Sequence, residues 1–240
     1  MAGLPANWVG RVYRGGGRLM PPNTLEKVTA FVTRDAKQGR ELLLFRHPSG
    51  GIQLPAGTVE ENETAANAAL REAQEETGLT ALTIAAYLGA EPQALPDGGR
   101  VILRRTVLFQ HAAPDAPETI PNFVFHGLRR GLYVRQTGEA EQGRVPVVYE
   151  EFDTISDGGA AIPARAAHGW INANDVTDTL TRHFYHLVSA DPTPDTWTQN
   201  AEEWEHAFDL FWSPVSVAAS LLIPSQAAWL GDYAEQLLAE

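Results

Sequence analysis

The sequence predicts an α/β fold. Short apolar runs separated by turn residues recur along most of the chain, as strands do. One amphipathic helix ending on Gly follows the first strands, and a second helix closes the sequence.

The elements follow in order. Residues 1–24 are rich in Gly, Pro and Arg and read as an irregular arm. "KVTAFVTR" (27–34) and "ELLLFRH" (41–47) are strands joined by a polar turn, so they form a hairpin. "PSGG" breaks the pattern, "IQLP" resumes it and "AG" breaks it again. Residues 64–77 read as a helix, with Gly78 where a left-handed cap belongs. Ala66, Ala69, Leu70, Ala73 and Thr77 share one arc of that helix, and Glu72, Glu75 and Glu76 share the next. The first arc can pack closely on a sheet while the second presents carboxylates at its edge.

"LTIAAYLGA" (82–90) and "RVILRRTVLFQ" (100–110) read as strands around a "PDGG" turn (96–99). "LRRGLYVRQ" (128–136) and "RVPVVYEEFD" (144–153) read as another pair, and "ISDGGAAIPARAAHG" (155–169) as a loop. "RHFYHLV" (182–188) and "HAFDLFW" (206–212) are strands flanking a polar stretch with Trp197 and Trp204. The final helix spans roughly 225–239.

Composition narrows the function. The chain has 240 residues, 44% hydrophobic and 20% charged, with a net charge of -12. That suits a globular protein with a substantial core. The charge argues against loose binding to DNA or anionic membranes. An anionic small molecule stays possible, because a divalent cation can bridge two negative partners. The absence of cysteine removes disulfides, thiolate metal sites and a Cys nucleophile. "MAGLPANWVGRVYRGGG" contains no signal-like apolar run, so a cytoplasmic location is expected.

The stretch "REAQEETG" (71–78) raises a specific question. Carboxylates three and four residues apart on one helix repel each other. Solvent, Arg71 or a bound cation must offset that repulsion. Read from further upstream, the stretch becomes "GTVEENETAANAALREAQEETGL" (57–79). Gly57 is followed by Glu63, Arg71-Glu72, Glu75-Glu76 and Gly78-Leu79 at fixed spacings. This resembles the Nudix box, the signature of the Nudix hydrolases. Every charged and Gly position matches. Ala73 stands where the family usually has a larger aliphatic residue, which implies closer helix packing.

The resemblance implies an α/β/α sandwich around a mixed β-sheet. It implies that Glu72, Glu75 and Glu76 bind Mg²⁺ or Mn²⁺, joined by the carbonyl of Ala56. Arg71 would pair with carboxylates in the active site, with Glu63 in support, and Gly57 and Gly78 would supply backbone freedom. Upstream, "IQLPAG" resembles the strand leading into the box, and "FWSPV" before a terminal helix resembles how many members end. The region from about 112 to 180 resembles nothing in the family, and is expected to be an inserted β-rich subdomain or lid within a domain spanning 25–240. A homodimer is possible by analogy.

Other residues carry weaker signals. Arg46, Arg104, Arg105, Glu150 and Glu151 are candidates for substrate binding. Arg129, Arg130 and Arg135 belong with the arginines, on strands. Asp153, Glu202, Glu203 and Glu205 could add a carboxylate from outside the box. Trp170, Trp197, Trp204 and Trp212 read as core residues rather than base-stacking platforms. His183, His186 and His206 form no recognisable zinc triad.

The expected activity is metal-dependent hydrolysis of a phosphoanhydride in a nucleoside diphosphate linked to another group. "LPAG" resembles members that cleave ADP-ribose or ADP-sugars. Those often carry a Pro about fifteen residues past the box, and here Pro92 and Pro96 bracket that position. Dinucleoside polyphosphates, NADH and nucleoside triphosphates stay open. The alternative is a non-catalytic nucleotide or ADP-ribose sensor on the same fold. A DNA-binding regulator is disfavoured, since residues 183–240 contain no Lys or Arg. The family's isomerase branch resembles a chemistry that needs a Cys.

Overall fold

The computed structural model describes residues 23–48, 50–119, 127–155, 161–190, 192–201 and 206–239. The arm up to residue 22, Trp204 and the candidates Glu202, Glu203 and Glu205 lie outside the described residues, as do the side chains of Asp153 and His206.

Two sheets form the molecule. The first begins with the expected hairpin of β1 (Leu25–Ala36) and β2 (Gly39–His47). The short strands β3 (Gly51–Gln53) and β4 (Ala56–Thr58) pair with β2 and β1. They lead into helix α1 (Ala65–Thr77), followed by β5 (Leu82–Gln93).

The second sheet carries β6 (Gly99–Ile102), β7 (Leu108–Phe109), β8 (Glu118–Thr119) and β9 (Tyr133–Gln136). It is completed by β10 (Arg144–Ile155), β11 (Ala161–Asn172) and β12 (Val176–Thr177). The chain then returns to the first sheet with β13 (Leu180–Ser189), β14 (Thr196–Ala201) and β15 (His206–Pro214). Short α2 (Val215–Ala218) and α3 (Pro224–Leu238) end it. Among the described residues no helix is long and apolar enough to cross a membrane.

The first sheet runs β14-β15-β2-β1-β13-β5, with β1 and β13 parallel and the other neighbours antiparallel. Both faces are covered, so its central strands are apolar on both sides. Val28, Ala30 and Val32 of β1 pack toward α1 with Leu43, Phe45, Ala69 and Ala73. Phe31, between them, faces α3 with Phe184, Leu230, Tyr233 and Leu237. This is the expected α/β/α arrangement around a mixed sheet. Pro92 sits on β5, an edge strand, where a missing N–H is tolerated.

The second sheet is antiparallel, in the order β12-β6-β9-β10-β11-β7-β8. Its core includes Ile102, Leu128, Val134, Val145, Val147 and Ile171. Leu25 and Leu180 of the first sheet meet Val101 and Leu103 of the second, which joins the two.

Three expectations are corrected. Residues 161–169 are not a loop but part of β11, paired along β10. The run 100–110 is not one strand, because it bends after Ile102 and only resumes at Leu108. The polar stretch around Trp197 is β14, hairpinned to β15.

Candidate active site

The site grows from the way α1 is fixed. Thr64 caps its N-terminus by accepting the Asn67 N–H at 3.2 Å. Gly78 ends it at φ 73°, a left-handed conformation that favours glycine. The Trp197 indole N–H donates to the Thr77 carbonyl at 2.9 Å, tying the helix end to β14. Ala68, Ala69 and Ala73 are fully buried against the first sheet, so Ala73 takes the close-packing role expected of it.

That seating aims the next arc of α1 at β4. Ala56, Gly57 and Thr58 pair with Thr29, Val28 and Lys27 of β1. The Thr58 N–H donates to Glu72 Oε1 at 3.2 Å, and the Ala56 N–H donates to Glu76 Oε2 at 2.9 Å. Gly57 lies between these two contacts, and any Cβ there would overlap the Glu72 carboxylate.

Arg71 is the hub of the remaining charges. It grips Glu63 through Nε and Nη2 at 3.0 and 2.9 Å, in a bidentate fork. Its Nη2 also donates to the Thr58 carbonyl at 3.1 Å. Its Nη1 reaches Glu72 Oε1 at 2.9 Å and Glu75 Oε2 at 3.1 Å. Glu63 accepts the Glu60 N–H as well, which closes the loop before the helix. In this structure Arg71 therefore offsets the repulsion for Glu72 and Glu75.

Glu76 is the exception. It is half-buried, and among the described residues no cationic side chain pairs with it. Burial pushes its pKa well up, relieved in part by the Ala56 N–H and reinforced by the charges of Glu72 and Glu75. Burial also raises Glu72, against the pull of Arg71. Glu63 goes the other way, held below the usual carboxylate range by the Arg71 hydrogen bond. Glu75 is the most open of the four, with its side chain 59% exposed.

This donor set fits a hard divalent cation. It offers carboxylate oxygens at one edge, and one carboxylate, Glu76, has no positive partner among the described residues. Among the described residues no three acidic or His side chains are already closed around an ion position. Arg71 stands between Glu72 and Glu75 instead.

The other candidates scatter. Arg46 is exposed near the end of β2. Arg104 leaves the strand path to pair with buried Asp175 at 3.2 Å, and Arg105 is exposed in the same bend. Arg129 and Arg130 precede β9, and of the five grouped arginines Arg135 alone lies on a strand. Arg130 ties the second sheet to the box loop, donating to the Val59 carbonyl at 3.0 Å and to the Leu103 carbonyl. Glu150 and Glu151 lie on β10, with Glu150 near Arg135 at 3.9 Å. Trp197 and Trp212 pack together with ring centres 6.3 Å apart, as core residues, and Trp170 lies on β11. His186 is buried against Thr33, and His183 bonds Tyr87 and Glu26. A cleft of about 450 Å³ lined in part by Arg100, Gln136 and Asp178 contains no box residue.

Sequence reasoning passed over Lys27, Tyr133 and Arg182, which stand together beside β4. Lys27 pairs in register with Thr58 on one side and Arg182 on the other. Its ammonium lies 4.6 Å from the Tyr133 ring centre. The available signal was a lone Lys at the head of an otherwise apolar central strand.

The carboxylate-lined edge of α1 lies against β4 on an α/β/α sandwich, an arrangement that suits a hydrolase. The NUDIX domain family matches residues 24–139, so the chain carries a NUDIX domain. No curated protein matches the sequence. Among solved structures, a Caenorhabditis elegans Ap4A hydrolase in a binary complex is similar at 13% identity and TM-score 0.43. That match covers 90% of this chain and 99% of the other. A Mycobacterium smegmatis Nudix hydrolase, RenU, is similar at 15% identity and TM-score 0.40, covering 88% and 84%. Neither likeness bears on substrate.

Proposed function

We propose that the chain hydrolyses a phosphoanhydride bond in a nucleoside diphosphate linked to another moiety. ADP-ribose and ADP-sugars come first among substrates, on the resemblance of "LPAG" (54–57). The observation that supports the reading is the convergence of Glu72 and Glu76 on the Thr58 and Ala56 N–H groups of β4, with no cationic side chain paired with Glu76 among the described residues.

In this reading Glu72, Glu75, Glu76 and the Ala56 carbonyl hold Mg²⁺ or Mn²⁺. When bound, such an ion neutralises a diphosphate and lowers the pKa of a coordinated water. One box carboxylate accepts the proton of the attacking water. The water oxygen forms a bond to phosphorus and the bond from phosphorus to the bridging oxygen breaks. Glu63 and Arg71 keep the loop and β4 in place, so that the carboxylates keep their aim.

The test is product release across ADP-ribose, ADP-glucose, NADH, diadenosine polyphosphates and nucleoside triphosphates, with Mg²⁺ and with Mn²⁺. A Glu75→Gln variant runs beside the wild type. The expected result is metal-dependent turnover of one substrate class, reduced about 10²-fold or more in the variant. If nothing turns over with either ion while a ligand raises the melting temperature, the fold serves as a binding protein instead.

A further inference from the structure

Lys27 and Arg182 are in-register neighbours on the parallel strands β1 and β13. By strand alternation both share the α3 face with Phe31 and Phe184. Arg182 is only 7% exposed. Its Nε donates to Gln93 Oε1 at 3.0 Å, and its Nη1 donates to the Val28 carbonyl and Thr29 Oγ1, each at 3.0 Å. Its guanidinium lies 4.6 Å from the Trp229 ring centre, and the Tyr133 hydroxyl hydrogen-bonds to it. None of these partners is a carboxylate.

Lys27 is less provided for. Its ammonium rests over the Tyr133 ring, and among the described residues no hydrogen-bond acceptor meets its three donors. Glu72 acts on it through space without pairing, since Glu72 is engaged by Arg71 and Thr58. Burial, and then the charge of Arg182, pull the Lys27 pKa down to about 8. A buried guanidinium beside a half-buried ammonium, neither paired with a carboxylate, is costly to keep. The pair is the more unusual in a chain with 30 acidic and 18 basic residues. An anion arriving beside Lys27 would meet a preformed donor, a second positive charge and little left to reorganise.

We infer that Lys27, reinforced by Arg182 and walled by Tyr133, is a subsite for a phosphate group of the substrate, next to the box carboxylates but separate from them. This rests on the reading that the substrate carries a diphosphate. Lys27 supplies most of the hydrogen bonds, because four of the five Arg182 donors already have partners. Arg182 supplies charge and holds the Tyr133 hydroxyl. Because Tyr133 belongs to β9, the second sheet completes the subsite.

Inorganic pyrophosphate is the probe, because its binding needs no turnover. Calorimetry would compare wild type, Lys27→Met and Lys27→Arg, with and without Mn²⁺, after thermal melts show that each variant folds. Mn²⁺ affinity alone would be read by electron paramagnetic resonance. The expected result is that Lys27→Met weakens pyrophosphate binding at least about tenfold, the scale of one charge-assisted hydrogen bond. Lys27→Arg retains most of the binding, and both variants keep wild-type Mn²⁺ affinity. On the substrate that the panel identifies, KM rises more than kcat falls. Equal pyrophosphate binding by wild type and Lys27→Met overturns the subsite, as does no binding by wild type. A parallel loss of Mn²⁺ affinity also overturns it, by placing the effect in the box. If the wild type turns over no substrate, the hydrolase reading fails while the pyrophosphate arm still decides the subsite.

Discussion

Gly57 and Glu72 fit together without room for a methyl group between them: a Cβ at position 57 would overlap the carboxylate that Thr58 holds by its N–H. The backbone of Gly57 is not in the left-handed region, so its requirement is close approach rather than turn geometry. Gly57→Ala therefore displaces Glu72 from β4. Metal-dependent kcat/KM is expected to fall about 10²-fold or more, the scale of losing one positioned catalytic group. Steady-state kinetics beside a thermal melt would show activity lost well before the fold is.

Glu76 leads to a prediction with opposite signs for stability and function. Among the described residues its carboxyl meets only the Ala56 N–H, and desolvation raises its pKa, so Glu76→Gln removes a charge the fold accommodates poorly. The metal-free variant should melt at or above the wild-type temperature near neutral pH. Mn²⁺ should stabilise the wild type and leave the variant unmoved, because linkage requires binding to the native state. Melting curves with and without Mn²⁺ test both halves.

The Glu63–Arg71 fork carries a pH dependence. Glu63 has a depressed folded-state pKa, so its stabilisation is present above the unfolded carboxylate value and is lost as pH falls through the folded one. Arg71 stays charged throughout. Urea midpoints for wild type and Glu63→Gln should differ near pH 7 and draw together below about pH 4, near the unfolded carboxylate value. A gap that stays constant with pH would contradict the assignment.

Thr64→Ala removes the side-chain oxygen that receives the Asn67 N–H at the start of α1. The expected cost is about 1 kcal/mol in chemical unfolding. Turnover should be unchanged where the variant is fully folded, since the Thr64 side chain accepts from the Asn67 N–H and belongs to the helix cap.

How far the sequence could be read depended on whether an element's cause was local. Helix α1 was legible because Thr64, Gly78 and the alanine arc all act within one segment. The strands of the first sheet were legible from apolar runs, since both faces are covered. β11 was not, because "AIPARAAHGW" has little strand character and becomes a strand by pairing along β10. The break after Ile102 was hidden for a similar reason: the backbone of the bend bonds to Asp175 and Leu128, both distant in sequence. At the site, the glutamates were legible from their spacing. The cationic pair was not, because Lys27 and Arg182 become neighbours only through a parallel pairing whose partners are distant in sequence.

That pairing also sets an order of events during synthesis. β1 is placed between β2 and β13, and every residue of the second sheet is made before β13 exists. The helix end is then anchored by Trp197, later still. A nascent chain on the ribosome can form the β1–β2 hairpin early, yet it leaves the far edge of β1 open until β13 emerges. The edge of β1 that carries Lys27 is thus closed late, after the whole second sheet has been translated.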